Sequence, residues 1–197
     1  MKKVCILKAS PRKKGNTYSL LEPVVETLEK QGVSCREFDL YEMEILPCLA
    51  CRGCQTDFSG ANCVRKDDMG PVFEAVMDSD LILFASPIYA WYCTAPLKAA
   101  MDRMVYAFNK YYGPEKGPAI WAGRSVAIVT TCGYKVEKGT DLFEEGVKRY
   151  CKHSGLDYVG MLAERHLGYD QAFMDDEKRR HAESFAQELL ESLSKEE

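Results

Sequence analysis

At 197 residues the chain fits one domain by length, and a chain of that size buries roughly 70% of its unfolded surface without a disulfide or metal to help it fold. Hydrophobic residues at 46%, charged residues at 28% and a mean hydropathy of -0.29 exclude disordered and fibrous proteins. The formal net charge is -4 and the lysines and arginines are scattered among acids, which excludes a nucleic-acid footprint and a polybasic membrane patch and points to a small partner.

In chain order, the first apolar run is Lys3 to Leu7, short and apolar on both faces, as a buried parallel strand is. It stops at Lys8, and no later run approaches the roughly 20 residues a membrane helix requires. The chain therefore reads as free of leader and membrane span, and cytoplasmic. Leu20, Leu21, Val24, Val25 and Leu28 mark an amphipathic first helix, in which Pro23 removes a backbone bond and predicts a kink. Ser34 to Leu40 alternates and reads as an edge strand. Leu81 to Ser86, Val126 to Thr130 and Tyr158 to Leu162 repeat the buried-strand pattern. Between and after them lie helices, one with Leu97, Ala100, Met101, Met104, Val105 and Phe108 at its apolar positions and Pro96 in its first turn, another with Phe185, Leu189 and Leu193. Strands alternating with helices imply an α/β fold with a parallel sheet and helices on both faces. Two long connections stand outside this rhythm. One is a cysteine-rich loop at about 44–70 and the other a tyrosine- and glycine-rich stretch over 109–123, and long loops in compact domains are commonly functional.

Three segments converge on the carboxyl ends of the predicted strands, where α/β proteins bind ligands. Between the first strand and first helix, Ser10, Arg12, Asn16 and Thr17 combine hydroxyls, an amide and a guanidinium with a helix N-terminus. That set suits a phosphomonoester; the competing reading is a turn that only caps the helix. The loop lacks the GxGxxG of dinucleotide sites and the lysine-serine or lysine-threonine ending of a P-loop. After the third strand, Pro87, Ile88, Tyr89 and Trp91 offer a stiff segment and planar apolar surface, with core packing as the other reading for Trp91. After the fourth strand come Thr131, Cys132, Gly133 and Tyr134, where glycine permits close backbone approach.

Nine cysteines in a chain without secretory features point to metal or redox chemistry. Cys48, Cys51 and Cys54 are spaced as in ferredoxin-type cluster runs, and Cys63 follows after eight intervening residues. Four thiolates also suit zinc, and a loop that binds no metal is the third reading. Cys5, Cys35 and Cys151 read as small buried apolar side chains. His153, His166 and His181 lack paired spacing and receive no role.

The ordered series Ser10-x-Arg12-x-x-Gly15-Asn16-Thr17, Cys48-x-x-Cys51, Lys66-Asp67-Asp68-Met69, Ser86-Pro87-Ile88-Tyr89, Leu97-Lys98 and Asp102-Arg103 resembles the NADPH-dependent FMN reductase and iron-sulfur flavoprotein group over about the first 135 residues. The resemblance implies a flavodoxin-like three-layer sandwich with sheet order 2-1-3-4-5 over 1–197, noncovalent FMN and a homodimer or higher homo-oligomer. By position it implies that Ser10, Arg12, Asn16 and Thr17 hold the FMN phosphate, that Pro87 to Tyr89 meet the isoalloxazine ring, and that Thr131 to Tyr134 border it. It also implies a four-iron four-sulfur cluster on the cysteine run, although the gap before Cys63 is longer than is usual in the group. Lys98, Asp102 and Arg103 read as structural contacts.

The expected function is an oxidoreductase in which FMN takes hydride from NADPH or NADH and passes electrons to a small-molecule or protein acceptor, with no catalytic side chain demanded. The loop from Tyr106 through Tyr112 to Trp121 is expected to cover one flavin face and offer a second ring a stacking surface, with a dimer interface as the competing reading. A flavodoxin-type electron carrier is the alternative function. A regulatory protein with zinc in the cysteine loop is the third.

Overall fold

The computed structural model describes residues 1–168 and 171–194. Five strands, β1 (Lys3–Lys8), β2 (Ser34–Asp39), β3 (Leu81–Pro87), β4 (Ser125–Cys132) and β5 (Asp157–Arg165), form one parallel sheet in the order β2-β1-β3-β4-β5. The helices are α1 (Asn16–Lys30), α2 (Met69–Asp78), α3 (Ala95–Phe108), the one-turn α4 (Val136–Gly139), α5 (Asp141–Ser154) and α6 (Asp176–Ser194). None is long and apolar enough to cross a membrane among the described residues.

The predicted strands are all present, and the expected sheet order is the one observed. The three central strands, β1, β3 and β4, are almost wholly buried, so their residues are apolar on both faces. Odd and even positions feed two cores. Cys5, Leu7, Ile82, Phe84, Val126 and Ile128 pack with α2, α3 and α5, whereas Val4, Ile6, Leu81, Leu83, Ala127 and Val129 pack with α1 and α6. Burying two faces of a sheet in this way is the main favourable term in the fold, at about 25 cal/mol per Å² of apolar surface. Helix α1 runs unbroken across Pro23, which is buried, and Thr27 donates from its hydroxyl to the Pro23 carbonyl at 2.8 Å.

β1 pairs with β2 on one side and β3 on the other, so successive crossovers leave β1 in opposite directions. The loops beyond the carboxyl ends of β1 and β3 separate there and leave a crevice.

Candidate functional site at the carboxyl edge of the sheet

The crevice is a real cavity of about 200 Å³, and its lining combines three separated segments. Ser10, Arg12, Asn16 and Thr17 enter from the β1–α1 loop, Pro87, Ile88 and Tyr89 from the end of β3, and Thr131, Cys132 and Gly133 from the end of β4. Backbone pairing fixes the last two against each other, since Ile88 N donates to Thr131 O at 2.9 Å. Thr17 and Thr131 join α1 to β4 through a buried hydroxyl pair at 2.8 Å.

The β1–α1 loop is a tight turn. Gly15 N donates to Arg12 O at 2.9 Å, and Ser10 Oγ accepts from Arg12 N at 3.2 Å. A Cβ on Gly15 would stand 2.8 Å from Arg12 Cβ and 2.9 Å from Arg12 O, so only glycine lets this turn close. Gly15 is also the N-cap of α1 and supplies no side-chain bond, which leaves the first-turn N–H groups uncapped by any side chain. Tyr18 braces the loop from behind, donating its hydroxyl between Ser10 O at 3.2 Å and Asp39 Oδ1 at 3.1 Å. Burial and the Asp39 carboxylate push that phenol well above its ordinary range, so it remains a hydrogen-bond donor.

Past β3 the chain reverses in a tight turn closed by mutual Tyr89 and Tyr92 backbone bonds, with Ala90 and Trp91 both left-handed at φ 49° and 62°. The turn sets Trp91 flat against Tyr134, with ring centroids 5.4 Å apart and planes at 16°. Both rings are exposed, and neither lines the cavity itself. Burial pushes the Cys93 thiol up to about 12 and raises Cys132, so neither is a thiolate nucleophile at neutral pH.

Gly15, read only as part of the loop motif, also lines this cavity, and so does His166, which received no role from its sequence: its backbone N donates to Cys132 O at 2.8 Å, and its Nδ1 lies 3.1 Å from Asn16 Nδ2. His166 stands one residue beyond β5, and that position was the available signal.

Within one chain the loop from Tyr106 to Trp121 lies away from the crevice. Trp121 is fully buried and donates from Nε1 to Asn109 Oδ1 at 2.7 Å. Helix α3 begins beside the crevice, where Thr94 Oγ1 donates to Ala9 O, and its 14 residues run about 20 Å away from it. Tyr106 and Tyr112 pair at the far end, 4.6 Å apart, beside the cysteine loop.

That loop has its own pocket. Cys48, Cys51, Cys54 and Cys63 line one small cavity together with Arg65, Arg103 and Tyr106. Among the described residues no three His, Cys, Asp or Glu side chains are close enough to hold a single metal ion, so the thiols are not gathered as a tetrahedral zinc site. Buried polar groups support the loop from beneath. Lys110 donates from Nζ to Cys54 O at 2.8 Å and Gly60 O at 2.6 Å, and Gln55 Nε2 donates to Tyr106 O at 2.5 Å. Of the helix residues read as structural contacts, Lys98 pairs with Asp102 along α3, while Arg103 is buried and pairs with Asp67.

An iron-sulfur flavoprotein from Archaeoglobus fulgidus is 36% identical over 105 residues, covering 53% of this chain and 46% of the relative. One from Methanosarcina thermophila is 31% identical over 126 residues, covering 62% and 64%. The chain thus matches about half to two thirds of the length of these curated relatives. An NAD(P)H:quinone oxidoreductase from Methanothermobacter marburgensis has the same fold, with a TM-score of 0.66 at 23% identity over 94% of each chain. The model of one family, NADPH-dependent FMN reductase, matches residues 2–140, and the chain belongs to that family.

Proposed function

We propose that the chain is an FMN-dependent oxidoreductase of one flavodoxin-like domain, taking electrons from NADPH or NADH and delivering them to a small-molecule or protein acceptor. The observation that carries this reading is the single cavity in which the β1–α1 loop meets the ends of β3 and β4. When bound, FMN supplies the redox chemistry, accepting hydride and releasing electrons.

The residues present fit that cofactor. Ser10, Asn16 and Thr17 offer neutral donors, Arg12 a charged one, and the uncapped start of α1 favours an anion. The close Gly15 turn draws these groups around a small dianionic headgroup. Pro87, Ile88 and Tyr89 on one side and Thr131, Cys132 and Gly133 on the other hold the flat ring between strand ends whose spacing is fixed by sheet pairing. The exposed Trp91 and Tyr134 pair takes over the role expected of the 106–121 loop, offering planar surface to a nicotinamide or acceptor ring.

The cysteine pocket serves as an iron-sulfur site. Two curated relatives are named iron-sulfur flavoproteins, and the four thiols share one cavity here. Arg65 Nε and Arg103 Nε are buried without a hydrogen-bond partner at that cavity, and cationic donors suit an anionic cluster held by thiolates.

Anaerobic purification followed by an absorption spectrum and stopped-flow mixing with NADPH and NADH tests the reading. Bound FMN that is bleached by one nicotinamide and restored by quinone or free flavin is the expected result. A flavin reduced by dithionite but by neither nicotinamide at millimolar concentration would make the protein an electron carrier instead.

A further inference from the structure

The cysteine-rich segment is closed at its neck. Asp68 Oδ2 accepts from Glu44 N at 2.7 Å, and Asp68 N donates to Glu44 O at 3.1 Å. Asp67 repeats the closure one layer further in, since its Oδ2 accepts from Leu46 N at 3.0 Å and its Oδ1 from Met69 N at 3.3 Å. The 44–68 segment is therefore a long loop whose two ends are tied by two consecutive carboxylates.

Arg103 pins that neck to α3. Its Nη1 donates to Asp67 Oδ2 and, at 3.4 Å, to Leu46 O, while its Nη2 reaches Cys63 Sγ at 3.3 Å. Both ionic side chains are withdrawn from water, at 1% exposure for Arg103 and 0% for Asp67. A buried pair of this kind is weak evidence for net stability, because desolvating two charges offsets their attraction. The carboxylate bonds to Leu46 N and Met69 N close the neck without any contact to sulfur, so the Arg103 contact to Cys63 needs its own explanation. No apolar side chain could donate to Cys63.

We propose that Arg103 is a positioning residue of the cysteine pocket: it presents Cys63 from a neck already closed by Asp67, and its charge favours the reduced state of the cluster held there. The inference rests on the iron-sulfur reading above. A cluster ligated by four thiolates is anionic and becomes more so on gaining one electron, with no bond to the protein made or broken. A fixed guanidinium with an N–H aimed at one ligand sulfur stabilises the more negative state more strongly, and hydrogen bonds to sulfur and local charge are what tune such potentials. Arg65, whose Nε is also buried without a partner at this cavity, adds to the same field.

The full chain is reconstituted anaerobically with iron and sulfide as wild type, Arg103→Lys and Arg103→Gln. Iron and labile sulfide are counted, and the one-electron midpoint potential is read by dithionite titration with electron paramagnetic resonance. Arg103→Gln, which loses the charge, should fall by at least a tenfold step in the electron equilibrium, which is 59 mV for one electron, while Arg103→Lys, which keeps it, should stay closer to wild type. A wild-type potential in loaded Arg103→Gln would overturn the charge effect. A second measurement needs no variant: amide exchange at Leu46 and Met69 in the wild-type chain should be equally slow with and without iron. Exchange that is fast in the iron-free protein and slows on loading would overturn the closed neck. Wild type that takes up no iron and sulfide would reject both the cluster reading and the tuning effect that depends on it, while the iron-free exchange rates still decide the clasp.

Discussion

Gly15→Ala is the sharpest test of the phosphate cradle, because it changes one methyl group and leaves every proposed contact residue in the sequence. Gly15 has φ -91° and ψ 169°, an extended conformation that alanine adopts freely, so the effect is purely steric. The new Cβ would meet Arg12 Cβ at 2.8 Å and Arg12 O at 2.9 Å, and the second of these is backbone that cannot swing aside. The turn must open, losing the 2.9 Å bond from Gly15 N to Arg12 O and moving Arg12 outward. Overpacking of this kind costs about 1–3 kcal/mol, and each kcal/mol lowers the midpoint of a chain this size by about 2–4 °C. Displacing Arg12 also removes a charge-assisted bond to phosphate, worth about 1.5–3 kcal/mol, or roughly tenfold to a hundredfold in affinity. Flavin fluorescence quenching on the cofactor-free protein measures both ligands. FMN should weaken by that factor while riboflavin, which has no phosphate, should hardly change. An unchanged ratio of FMN to riboflavin affinity in Gly15→Ala would refute the placement of the phosphate beside this turn.

Arg12→Ala should produce a similar tenfold to hundredfold loss for FMN alone, measured in the same titration but without the thermal penalty. Thr17→Val should leave the Thr131 hydroxyl without its 2.8 Å partner in a buried setting, lowering unfolding free energy by about 1–3 kcal/mol in a urea titration. Asp67 supplies a pH dependence. Burial alone would raise its carboxyl, but bonds from Arg103, Leu46 N and Met69 N overcome this and hold it below its ordinary value of 3.8. A carboxyl whose folded pKa is depressed stabilises the fold fully above its unfolded pKa and loses that contribution as pH falls through the folded value. The wild-type urea midpoint should therefore drop below about pH 4 more steeply than that of Asp67→Asn, and parallel curves would contradict the assignment.

The sheet was legible because burial on both faces leaves an unambiguous signature. Val4 to Leu7, Leu81 to Ala85 and Val126 to Val129 admit hardly a polar residue. β5 was read only to Leu162 because it lies at a sheet edge, and its last three residues, Ala163 to Arg165, return to mixed character where burial no longer demands otherwise. The three ligand-facing loops were found by placing motifs after strands. What stayed hidden depends on distance along the chain. Asp67 and Arg103 are 36 residues apart and Asn16 and His166 are 150 apart, and no local pattern announces either pair. Lys98 and Asp102, read only as structural contacts, pair four residues apart along one helix face. The 106–121 loop lies at the far end of α3 from the crevice of its own chain, because adjacency to a ring-binding segment says nothing about which end of an intervening helix the chain has reached.

The turn between Tyr89 and Tyr92 holds two consecutive non-glycine residues in left-handed conformation, and such residues cost roughly 1–2 kcal/mol each. Asparagine and glycine adopt that geometry more readily, so a sequence chosen only for durability would place them at 90 and 91. Tryptophan at 91 gives up that ease to set an indole against Tyr134 at the mouth of the crevice. Attempts to harden this protein by substituting Asn-Gly there should therefore gain thermal tolerance and lose the exposed Trp91–Tyr134 stack in the same step, which makes this four-residue reversal a poor target for consensus stabilisation.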